Sequence, residues 1–128
     1  MKKTTFTLNE QDYTFVHNGT AMFELRDRFG EKSVVDLLLA DTKEGFDTVC
    51  VAAAVLSEQG ELVRRYEGHD SGPVLSEDTV RMLATPIDLM KLRLALLEAI
   101  STSYGRDITP TGDVDLGLAE LNKKKATD

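Results

Sequence analysis

Thr4-Thr5-Phe6-Thr7-Leu8-Asn9-Glu10-Gln11-Asp12-Tyr13-Thr14-Phe15-Val16-His17 is the stretch whose reading decides the fold. Phe6 and Leu8 alternate with Thr5 and Thr7, and Tyr13 and Phe15 alternate with Thr14 and Val16. That is the two-residue period of a half-buried strand. Asn9-Glu10-Gln11-Asp12, between the two runs, is polar and turn-compatible. A loop of that length pairs Leu8 with Tyr13 and Phe6 with Phe15, and it gathers their side chains on one apolar face. A lone two-stranded hairpin is marginal in water, so the face needs a cover. The next segment offers one: Asn18 reads as an N-cap, Gly30 as a left-handed C-terminal residue, and Met22, Leu25 and Phe29 recur between them at helical spacing.

Further along, the pattern is helical. Ser33 with Asp36 opens a short helix through Leu39, and Asp41 with Glu44 marks the start of another. In the latter, Phe46, Val49, Cys50, Ala53 and Leu56 form one stripe while Val51, Ala52, Ala54 and Val55 fill the other side. A helix apolar nearly all round is central to its domain. Gly60 is expected to interrupt it, and Gly68 to Pro73 reads as a loop. Ser76 begins a short helix with Glu77 and Asp78 in its first turn. Thr85-Pro86 starts the last helix, which runs to about Ser103 with Leu89, Leu92, Leu96 and Ile100 on a broad face and Met90, Leu94 and Leu97 beside it. The expected architecture is α+β: a mostly helical domain over 1–104, with an N-terminal antiparallel β-hairpin packed on the first helix. Residues 105–128 form a polar tail, flexible or ordered by a partner, with an apolar patch at Leu116, Leu118 and Leu121.

Composition narrows the function classes. With 128 residues the chain is large enough for one core, and 41% hydrophobic with 29% charged residues is ordinary for a soluble protein. A net charge of −7 argues against nucleic-acid binding, and Lys123-Lys124-Lys125 is too short a basic run to change that. The single cysteine, Cys50, excludes an intrachain disulfide or a multi-thiolate zinc site and fits a reducing compartment. Lys2-Lys3 precedes no apolar stretch of signal-peptide type, and no apolar run approaches the roughly 20 residues of a membrane span.

No catalytic or cofactor constellation is legible. His69-Asp70 could orient an imidazole, but neither a nucleophile nor a second ligand stands at a recognisable spacing, and His17 is far away in sequence. Cys50 sits in an apolar helix where a thiol is inert. Glu24/Asp27 and Glu77/Asp78 read as a solvated face and as helix-dipole partners. The glycines form no phosphate-binding loop. Arg64-Arg65 beside Tyr66 is a candidate partner-binding corner.

The chain resembles the tail assembly chaperones of long-tailed bacteriophages and prophages in three stretches. These are the hairpin running into Thr20–Gly30, the apolar helix from Phe46 to Leu56, and the ending Asp113-Val114-Asp115-Leu116-Gly117-Leu118-Ala119-Glu120-Leu121. The resemblance implies a non-enzymatic assembly factor of the host bacterial cytoplasm; no cofactor is expected, and the acidic charge and lack of a membrane-length apolar run speak against nucleic-acid and membrane partners. Its implied partners are the phage tape measure protein and the tail tube protein; separately, an exposed edge on the Thr4–His17 hairpin would be a natural pairing site in a homo-oligomer. Leu116, Leu118, Leu121, Arg64 and Arg65 are the candidate contacts. The alternatives are another phage structural or adaptor protein, such as a connector or tube-associated subunit, and a small enzyme built on His69-Asp70.

Overall fold

The hairpin forms as β1 (Thr4–Leu8) and β2 (Gln11–Phe15), in a computed structural model that describes residues 2–30 and 32–105. Its turn is tighter than the spacing suggested. Asn9 and Glu10 both take positive φ, 52° and 67°, as a two-residue turn between twisted strands requires. The register therefore pairs Leu8 with Gln11, Phe6 with Tyr13 and Thr4 with Phe15, two residues away from the expected pairing. A shift of two leaves every side chain on its face. Phe6, Leu8, Tyr13 and Phe15 are accordingly all buried, and Phe6 and Phe15 stack as diagonal neighbours at 5.9 Å. Asn tolerates the left-handed region better than Glu does, so Glu10 concealed the turn type.

Among the described residues five helices follow: α1 (Gly19–Phe29), α2 (Val34–Leu39), α3 (Lys43–Tyr66), α4 (Glu77–Leu83) and α5 (Pro86–Ser103). The molecule is α+β and mostly helical. The caps follow from the residues named above: Asn18 accepts from the Ala21 N–H, Ser33 from Asp36, Ser76 from Thr79. Thr85 and Asp88 form a reciprocal capping box with Pro86 at the first helical position. One cap differs from expectation. Thr42, rather than Asp41, accepts from the Gly45 N–H and starts α3.

The hairpin's cover also differs. β2 lies along α3 and β1 against α5, whereas α1 packs chiefly on α3 and α2. Ala21 and Leu25 of α1 enter the same core, while Met22 and Phe29 are only partly covered. The helix that dominates is α3, on which α1, α2, α4 and α5 all pack. Val49, Cys50, Ala52, Ala53 and Leu56 are fully buried there, as an all-round apolar helix requires.

Gly60 does not break α3, which is continuous to Tyr66. A Cβ at Gly60 would overlap the Thr14 carbonyl oxygen, so the missing side chain lets β2 lie on the helix backbone. One turn earlier the Val16 N–H donates to the Leu56 carbonyl at 3.1 Å. Gly45 has a parallel role, since a Cβ there would overlap the Ala40 carbonyl at the end of α2. The cost of glycine in a helix interior, roughly 1 kcal/mol, is offset at Gly60 by close packing.

Buried polar groups on α3 are each satisfied. Thr48 Oγ1 donates to the Glu44 carbonyl, Ser57 Oγ accepts from the Leu75 N–H at 2.7 Å, and Gln59 Oε1 accepts from Asn18 Nδ2 at 3.1 Å. The tail expected over 105–128 lies outside the described residues except for Gly105.

Candidate functional site

Among the described residues, one exposed apolar face and one cleft are the leading candidates. The first is the outer face of α5. At 3.6 residues per turn, Ile87, Met90 and Leu94 lie about half a turn from the buried Leu92, Leu96 and Ile100. All three are more than half exposed. Met82 and Leu83, at the end of α4, add exposed apolar surface just before them in the chain. Phe23 lies alone beneath the Arg26 guanidinium, and Leu62 and Tyr66, one turn apart at the end of α3, make a smaller exposed apolar pair. A stripe at helical spacing, opposite a helix's own core face, is the form of a helix-binding surface.

The second is a cleft between the β2–α1 joint and the end of α5. It consists of two hollows of about 400 and 430 Å³ that meet at His17, Met22 and Tyr104. Its central polar contact joins residues far apart in sequence: His17 Nδ1 lies 2.7 Å from Ser103 Oγ. That hydroxyl also donates to the Ile100 carbonyl at 2.6 Å, so it accepts from His17, placing the imidazole proton on Nδ1. Ser103 thus fixes the imidazole and is not activated by it. Tyr104 tilts over the ring at 5.8 Å, and burial pushes the His17 pKa below its ordinary value.

The sequence-predicted residues fall elsewhere. Arg64 and Arg65 are engaged within α3: both reach back to the buried Glu61 carboxylate, at 2.7 and 3.0 Å. The Gly72 N–H donates to the same carboxylate and, with the two arginines, holds its pKa below the usual glutamate value. This arrangement clamps the loop after α3 to the helix. Leu116, Leu118 and Leu121 lie outside the described residues. His69 is exposed in the loop, and the Cys50 thiol is buried, with its pKa raised by desolvation. Among the described residues no three His, Cys, Asp or Glu side chains are placed to hold a metal ion, and no helix is long and apolar enough to cross a membrane.

Met90 and Leu94, expected beside the core face of α5, are instead exposed with Ile87 on the opposite side, the separation that 3.6 residues per turn gives once the helix is projected. Glu61 and the His17–Ser103 contact carry no local signal; both depend on how loops and helix ends meet. No protein-family model, curated protein or solved structure matches the chain.

Proposed function

We propose that this protein is a non-enzymatic phage tail assembly chaperone, acting in the host bacterial cytoplasm on the tape measure protein and tail tube subunits during tail morphogenesis. The observation that carries the reading is the exposed apolar stripe of Ile87, Met90 and Leu94 on an otherwise acidic protein. A long helical client exposes apolar faces before it is packed, and such a stripe can cover one by helix-to-helix contact. The net charge of −7 keeps the resulting complex soluble. The resemblance noted in three stretches of sequence points the same way.

Co-expression with the tape measure protein of the same phage is the direct test. The client's soluble fraction should rise severalfold and the two proteins should co-purify. Ile87→Asp with Leu94→Asp should abolish the gain while leaving the fold intact, since exposed substitutions shift stability by only about 0.5 kcal/mol. A client equally insoluble with and without this protein defeats the proposal. Recovery of the protein from finished virions would instead favour a connector or tube-associated subunit.

A further inference from the structure

We propose that the cleft at the end of α5 is a docking groove for an acidic, apolar stretch of this same chain, Asp113 to Leu121. The first argument is charge. Lys2, Arg26 and Lys32 line the cleft, and among the described residues its lining holds no carboxylate. This is unusual on a chain with 22 acidic and 15 basic residues. Lys32 also bridges Glu44 at 2.8 Å, which holds it at the rim. Between the cations the floor is apolar, with Met22, Val35 and Ile100. A fitting occupant has carboxylates interleaved with aliphatic side chains. Asp113, Asp115 and Glu120 alternate in this way with Val114, Leu116, Leu118 and Leu121.

Position is the second argument. Tyr104 lines both hollows and is followed at once by Gly105, so the chain leaves α5 at the mouth of the groove. Arg106 to Gly112 separates that point from Asp113. Such a tether reaches at most about 25 Å when extended, enough to enter a groove that begins at its own anchor. A tethered segment of this kind experiences an effective concentration of order millimolar, so even a weak contact keeps the groove filled. That advantage favours the chain's own segment over a free peptide of similar chemistry. The α5 stripe, on the opposite side of the helix from the core, is not needed for this contact, and the inference stands or falls apart from the chaperone reading.

The test uses the full chain with a photo-reactive benzoylphenylalanine in place of Leu118. This group inserts preferentially into methionine C–H bonds, and the methionines separate the outcomes: Met22 lines the groove, whereas Met82 and Met90 are on outer faces. Irradiation at micromolar concentration should give an intrachain adduct concentrated at Met22. Lys2→Glu with Arg26→Glu should lower that adduct roughly fivefold, the effect of losing two exposed ion pairs, with an unchanged circular dichroism spectrum. Adducts at Met82 or Met90, adducts spread without preference, or a Met22 yield indifferent to the charge reversal would overturn the proposal. So would adducts joining two chains, which would give the groove to a second copy.

Discussion

Gly60 shows how much a single absent side chain can carry. Its Cα hydrogen is all that separates α3 from the Thr14 carbonyl, and the obstruction facing a Cβ is backbone, which cannot rotate away. Gly60→Ala should therefore destabilise the protein, by about 3 kcal/mol for overpacking of this severity, although alanine is the better helix former. Urea denaturation reads the cost, and a variant as stable as the parent would refute the close contact. Glu61 and His17 make stability depend on pH. The Glu61 carboxyl has a folded pKa lowered first by the Gly72 N–H and then by Arg64 and Arg65. An unfolded chain binds the proton first as pH falls, so the contribution of Glu61 is complete above about pH 4.5 and is lost in more acid solution. His17 is also lowered, by burial; its contribution is complete above about pH 6.5 and is lost as the pH falls through the folded value. Urea midpoints should decline in two stages on acidification. Glu61→Gln should cost about 1–3 kcal/mol at neutral pH and flatten the lower stage. It will not remove that stage, because Asp47 and Glu67 are lowered as well, by Arg81 and Lys3.

At the scale of elements, α3 is the piece against which the rest is arranged. Leu56 is fully buried on it, beside the backbone contact to Val16, and Leu56→Ala should cost about 2–5 kcal/mol in thermal or urea unfolding. The sequence announced this helix through its unbroken apolar composition, and it announced Asn18, Ser33, Ser76 and Thr85 as caps because capping chemistry is local. Locality also explains what was hidden. Gly60 reads as a breaker unless the strand crossing it is known, and Glu10 does not advertise a left-handed turn. The hairpin's aromatic face was legible from alternation alone, yet alternation does not say which helix covers it; α3 and α5 do so in place of α1. On α5 the core leucines Leu92 and Leu96 were legible, but Met90 and Leu94, expected beside them, are exposed on the other side, and the pairing of His17 with Ser103 across the whole domain carried no signal.

For the molecule as a whole, packing around one helix predicts one cooperative unit. Four helices and β2 pack on α3, and the surrounding ion pairs tie neighbours together: Arg81 to Asp47 at 2.8 Å, Arg28 to Glu77 at 3.6 Å and Lys3 to Glu67 at 2.8 Å. The pairs are exposed and each contributes little, so the cooperativity comes from the shared core. Amide hydrogen exchange should show Val49 to Leu56 opening only with global unfolding, while α2 and α4, both short, exchange through local openings. Fast exchange in the middle of α3 would contradict this. The same arrangement bears on ancestry. Gly45 and Gly60 are notches about 22 Å apart along the helix axis, each holding a carbonyl from another segment where a side chain would stand. Surface residues can drift until no pairwise comparison detects kinship, but a methyl group at either notch would push the pieces apart. Remote descendants of this fold should be recognisable less by residues they share than by two places in a long apolar helix where the side chain stays missing.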